Sequence, residues 1–250
     1  MLTTGNKISP DDISKDIRLI LWSFRLHYER RYFHHRFWEK ETQAAEFASK
    51  IEPFPRLESV AEHSWHVSDC VLILAPHFPE VNLDKAVKLA LLHDKMEGII
   101  GDKNPVGRDG TGMKTHAFSE KSQKDKFDQE LAAIIDYSQM LRQCLREEHV
   151  ALLLEALHSS SIESRFVKAV DKIQSLAYVI TIKRGCFTRK HLKFTLAYSK
   201  KTVDYFPPLS DHYKALRALL LESVKKGSDF SPDDVLAELN TKQLPLDFED

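Results

Sequence analysis

Apolar residues recur at three- and four-residue intervals along most of this chain, the spacing that gathers them on one face of a helix. Ile13, Ile17, Ile20, Phe24, Tyr28 and Tyr32 form the first stripe, which predicts one or two helices between about residues 13 and 49. Pro53 and Pro55 interrupt it. Val67, Val71, Leu72 and Leu74 predict a second helix, closed by Pro76 and Pro79. The run over 86–92 is apolar on nearly every side and reads as a buried helix. Phe127, Leu131, Ile134, Ile135 and Leu141 anchor a long helix over about 118–145, followed by an amphipathic one over 147–157. Phe166, Val167, Val170, Ile173 and Leu176 predict another over about 162–182, and further helices are expected near 194–203 and 211–224. Ser-Pro-Asp-Asp at 9–12 and again at 231–234 supplies a hydroxyl cap, a proline for the first turn and acids that suit the helix dipole. The expectation is an all-α chain forming one domain over 1–250, with a glycine-rich loop at 103–112 and a frayed tail from 241.

Composition narrows the class without naming a chemistry. Of 250 residues, 42% are hydrophobic and 29% charged, which is ample for a core in a water-soluble protein. A net charge of −1 gives no bulk attraction to nucleic acid or an anionic membrane. The basic and aromatic residues Arg25, Arg30, Arg31, His34, His35 and Arg36, and the stretch 183–193, read as solvated helix faces and turns rather than as nucleic-acid surfaces. Cys70, Cys144 and Cys186 are odd in number and widely spaced, which argues for a reducing compartment and against a disulfide framework. No apolar run reaches the length of a membrane span and no signal-peptide core is present, so a cytoplasmic protein is expected.

The candidate chemistry lies at the end of the buried run, in His93-Asp94-Lys95-Met96-Glu97. A His-Asp dipeptide arises about once by chance in a chain of this composition, so its surroundings carry the reading. Ionisable groups are costly to bury without partners, and a divalent ion suits a neutral imidazole beside a carboxylate. His63 offers a second imidazole on another apolar-faced helix, and Asp171 a second carboxylate within an apolar neighbourhood. One divalent ion held by His63, His93, Asp94 and Asp171 is therefore expected. This mixed nitrogen and oxygen set favours Mn²⁺, Fe²⁺, Co²⁺, Ni²⁺, Mg²⁺ or Zn²⁺ over Ca²⁺. Glu97 follows His93 by four residues, close enough on a helix to share its face and to handle a water. Asp102 follows on a turn after Gly98 and Gly101. Lys103 and Arg108 lie in the loop beside it, as phosphate-binding groups of a lid or as solvated charges of a connector. His66 falls nearly one turn after His63 and reads as a supporting or core histidine.

Three blocks carry a family resemblance: E-S-V-A-E-H-S at 58–64, H-D-K-M-E-G-I-I-G-D at 93–102, and E-S-R-F-V-K-A-V-D-K at 163–172. In this order they resemble the HD-domain phosphohydrolases, and within them the 5′-deoxynucleotidase branch, over roughly 56–180. The resemblance implies an HD-domain helical bundle with additional helices at 9–50 and 188–240, a nucleotide monophosphate substrate and a homodimer. It implies catalytic roles for Glu97 and Asp102, and places Arg56 near the substrate phosphate. One departure stands out. The resembling enzymes carry an Arg-Trp pair about fifteen residues before the first histidine, where this chain reads Glu46-Phe47-Ala48-Ser49-Lys50. Phosphate binding then falls to Arg56, Lys50 or the loop. Rival readings are a triphosphohydrolase, a nucleotide sensor, or a dinuclear phosphodiesterase or oxygenase using His116, His149 or His158.

Overall fold

The computed structural model describes residues 9–31 and 57–241. Arg56, Lys50, the 46–50 segment, the stripe's last member Tyr32 and the tail after 241 lie outside the described residues. Among those described the fold is all-α; no strand occurs, and an isolated antiparallel bridge pairs Arg30 with Ser59.

Helix starts follow side-chain caps. Ser9 accepts from the Asp12 N–H at 3.1 Å and opens α1 (Pro10–Ser23), which leads into the single turn α2 (Arg25–Tyr28). Ser59 and Glu62 form a reciprocal capping box at the start of α3 (Val60–Leu74). Asn82 caps α4 (Leu83–Leu92) by accepting from the Lys85 N–H at 3.0 Å. After the short α5 (Glu97–Ile100) come α6 (Glu120–Met140), α7 (Gln143–His158) and α8 (Ile162–Lys183). The chain continues through α9 (Arg189–Ser199), α10 (Lys201–Tyr205), α11 (Ser210–Gly227) and α12 (Pro232–Thr241).

The central element is α8, which packs against α3, α4, α9, α10 and α11. Its Phe166, Val170 and Ile173 meet Val67 and Val71 of α3, Leu89 of α4 and Leu192 of α9 in the main core. A second cluster joins Trp22 of α1 to Leu92, Met96, Tyr137 and Leu141. This second cluster explains two differences from the pattern reading. The helix expected over 118–145 breaks after Met140, because extended backbone at Leu141 and Arg142 buries Leu141 in the cluster and lets Arg142 Nε reach Asp16 of α1 at 2.7 Å. The apolar stripe of α1 is not its buried side. Ile13, Ile17, Ile20 and Phe24 are about half exposed or more, whereas Trp22 docks 4.9 Å from the Tyr137 ring.

The helix end expected near Gly185 is a left-handed turn, with Arg184 at φ 48° and Gly185 at φ +91°. A Cβ on Gly185 would stand 1.9 Å from the Ser223 carbonyl oxygen, so only glycine lets α8 end against α11. The loop expected over 103–112 is tied down. The Gly112 N–H donates to the Val106 carbonyl at 2.7 Å, and Val106 is buried against Ala117 and Phe194.

Candidate metal centre

Three elements bring the candidate ligands together. His63 sits in the first turn of α3, buried completely; His93 caps the C-terminus of α4; Asp171 lies midway along α8. The His93–Glu97 segment is not one helix with α4, as the four-residue spacing suggested. N–H groups of Lys95, Glu97 and Gly98 bond three residues back, to Leu92, Asp94 and Lys95, so the chain tightens into turns before α5. Glu97 reaches the site through this turn rather than along a helical face.

Each imidazole is fixed by an acceptor behind it. Nδ1 of His93 lies 2.7 Å from the Ala90 carbonyl, and Nδ1 of His63 lies 2.8 Å from Oε1 of Gln174. Both acceptors call for a proton on Nδ1, which leaves both Nε2 lone pairs facing forward. Those Nε2 atoms are 3.3 Å apart. Asp94 Oδ2 stands 3.2 Å from the first and 3.4 Å from the second, and Asp171 Oδ1 is 3.2 Å from Nε2 of His63. Donors about 2.1 Å from one metal ion lie about 3.0–3.4 Å from each other in octahedral or tetrahedral arrangement. Two facing lone pairs ringed by carboxylates therefore fit a cation. Among the described residues, His63, His93 and Asp171 are the group whose donor atoms all lie within 4.8 Å of one another. Burial and Arg31 push the His63 pKa down, but hydrogen bonds to Asp171 and Asp94 outweigh them and raise it. The carboxylates that favour a proton on Nε2 would favour a metal ion in its place.

Behind His63 a relay continues. Gln174 Nε2 donates to Glu58 Oε2 at 3.1 Å, and Arg31 Nη1 donates to Glu58 Oε1 at 2.9 Å. Arg31 also donates to Ser175, which donates to Asp171. Arg31 is the cation that spacing along the sequence hides. The Arg31 N–H bonds the Glu58 carbonyl and the Val60 N–H bonds the Glu29 carbonyl, so residues 29–31 lie beside the start of α3. His66, exposed and 3.7 Å from Glu58, does not join the ligand cluster.

A cavity of about 400 Å³ opens on the cluster and is lined by Arg31, Glu97, Asp102, Lys103, His116 and Lys126, among others. Glu97 is buried; its Oε2 has no hydrogen-bond partner, and Oε1 lies 3.8 Å from Lys126 Nζ. Burial, followed by the Asp94 and Asp102 charges, pushes its carboxyl well above the usual range despite Lys126 and Arg31. Asp102 is raised as well, chiefly by burial, and its N–H is held by Glu29 at 3.0 Å. His116 is pushed down to about 3 by burial and then by Lys126, Lys172 and Lys201, so it is neutral at physiological pH. Arg108, expected near a phosphate, is exposed and does not line this cavity. His149 and His158 do not line it either. Lys126 and Lys172, which do, were missed by the sequence reading. A lysine directly after Asp171 in an apolar helix was the one available signal for the second.

The sequence model of the HD domain matches residues 49–206. This chain is an HD-domain protein. This HD domain is 29% identical over 145 residues to the 5′-deoxynucleotidase hdd1 of Schizosaccharomyces pombe, covering 56% of this chain and 66% of that protein. It is 31% identical over 125 residues to the 5′-deoxynucleotidase HDDC2 of Xenopus laevis, covering 48% and 55%. The chain thus spans between half and two-thirds of the length of the curated relatives it matches. In structure it resembles a "Predicted metal-dependent phosphohydrolase" from Magnetospirillum magnetotacticum MS-1, with a TM-score of 0.56 and 20% identity over 86% of this chain and 93% of that one. That likeness shows the fold.

Proposed function

We propose that this HD-domain protein is a metal-dependent phosphohydrolase that cleaves the 5′-phosphate ester of a nucleotide, as the names of its relatives also indicate. One observation carries the reading: two imidazole Nε2 atoms lie 3.3 Å apart, flanked by Asp94 and Asp171, and His93 and both carboxylates line a cavity that also holds Glu97 and several cations. His63, His93, Asp94 and Asp171 would hold one divalent ion. Bound there, the ion supplies charge neutralisation for phosphoryl oxygens and acidifies water.

The chain's own residues do the rest. Arg31, Lys103 and Lys126 line the cavity and offset the charge of the phosphoryl group. Glu97 accepts a proton from the attacking water; burial and its acidic neighbours raise its proton affinity above that of an ordinary carboxylate. As the new P–O bond forms, the ester P–O bond breaks. The leaving nucleoside oxygen takes up a proton, for which the Asp102 carboxyl, whose proton affinity is raised, is the candidate donor. Water and phosphomonoester become alcohol and inorganic phosphate. Three free cysteines, one of them exposed, support a reducing, cytoplasmic setting.

The test is a phosphate-release panel on purified protein with Mn²⁺, Co²⁺ or Mg²⁺, comparing ribo- and deoxynucleoside mono- and triphosphates. Release from 5′-monophosphates is expected. Inorganic triphosphate as product, or no product at all with metal bound, would overturn the reading.

A further inference from the structure

The cavity extends beyond what a metal centre and one phosphate require. It runs along α8 past Asp171 to α9 and α10, where Lys168, Lys172 and Lys201 meet Tyr198 and Tyr205 on its wall. Lys172 is engaged, its Nζ donating to Asp171 Oδ2 at 2.6 Å and to the Tyr198 hydroxyl at 3.0 Å. Lys168, one turn earlier on α8, has its Nζ 5.7 Å from the Tyr205 ring and is paired with no carboxylate among the described residues. Lys201 donates to the Ala117 carbonyl and lies 5.3 and 5.7 Å from the Phe118 and Tyr198 rings, again without a carboxylate. Burial, and then the charge of Lys172, holds both ammonium groups below the usual lysine range.

Two part-buried ammonium groups beside a third are unfavourable unless an anion joins them. On the other side of the cluster, Arg31 is bonded to Glu58 and Lys126 to Glu130.

We propose that Lys168 and Lys201, backed by Lys172, form a second phosphate subsite, so that the preferred substrate carries another phosphoryl group besides the one cleaved. The proposal deepens the hydrolase reading and rests on it for the position of the reacting phosphate. The second group is placed at the ribose 3′ position, because cleaving the 5′ ester of a polyphosphate chain would release a polyphosphate and not the inorganic phosphate of the reaction proposed above.

Equilibrium binding separates this from the question of turnover. The full chain, as the Glu97→Gln variant loaded with Mn²⁺, is titrated with 2′-deoxyadenosine 5′-monophosphate, its 3′,5′-bisphosphate, and the 5′-di- and triphosphates. The 3′,5′-bisphosphate is expected to bind about tenfold or more tighter than the monophosphate. A di- or triphosphate that binds tighter than the bisphosphate overturns the 3′ placement. Lys168→Gln and Lys201→Gln should each cut that preference severalfold, while Lys168→Arg and Lys201→Arg retain it. Equal or tighter binding of the monophosphate by the parent overturns the subsite, even if a lysine variant fails to fold. So does an equal loss for both ligand types in the glutamine variants. An enzyme silent towards every nucleotide would defeat the hydrolase reading and leave this comparison intact.

Discussion

Glu97 is buried with one carboxylate oxygen unbonded, and Asp94 and Asp102 both raise its proton affinity. Such a group costs stability when ionised and suits function as a base, and the two consequences can be measured apart. Glu97→Gln should retain metal and substrate but lose turnover about a hundredfold or more, chiefly in kcat. A rate within a fewfold of the parent would remove Glu97 from the mechanism. If Glu97 must be ionised, wild-type activity falls as pH drops through its raised pKa, so the acid limb lies above the ordinary carboxylate range. The stability effect has the opposite sense. Because the folded state holds this proton more tightly than the unfolded chain, stability is lost as pH rises from the unfolded carboxylate pKa through the folded one. Metal-free Glu97→Gln should therefore unfold in urea at pH 8 at an equal or higher midpoint than the wild type. A lower midpoint would show that the carboxylate is stabilising where it sits.

At the scale of elements, α8 carries Asp171, Gln174 and Ser175 to the site and must stop where α11 crosses it. Gly185→Ala is expected to destabilise the fold by roughly 2 kcal/mol or more, from its positive φ and the Ser223 carbonyl together. A denaturation midpoint unchanged from the wild type would mean that the turn repacks without cost. Much of this level was legible in the sequence. Helix α8 matches its predicted span within a residue, because caps at Ser161 and apolar positions at Phe166, Val170 and Ile173 all agree. What stayed hidden depends on contacts between distant segments. Leu141 breaks a periodic pattern because Trp22 offers it a burial site. Arg31 reaches Glu58 and Ser175 through backbone pairing that no local spacing reports. Lys126 and Lys172 resemble surface lysines until α6 and α8 are seen to wall one cavity. The four candidate ligands were legible because polar residues in apolar runs need partners.

For the whole molecule, α1 presents Ile13, Ile17, Ile20, Leu21 and Phe24 on its exposed face, all about half or more accessible among the described residues. An apolar stripe of this length suits pairing with a second copy, as the family resemblance implies. Light scattering at micromolar concentration should give about twice the 28.8 kDa chain mass, and Ile17→Asp should shift it towards that mass. A wild-type particle of one chain mass would count against the dimer. In the reading proposed above, function rests on the metal centre, where four side chains from α3, the α4 terminus and α8 would hold one ion that makes the cavity hydrolytic. Its most direct test is phosphate release from a deoxynucleoside 5′-monophosphate by metal-stripped protein, followed as Mn²⁺ is added in sub-stoichiometric steps at protein concentrations far above the metal Kd. The rate should rise in proportion to added ion and level off at one equivalent per chain, with no rise in Asp94→Ala, which loses the site. Release that needs no metal, that saturates at two equivalents, or that persists in Asp94→Ala would contradict it.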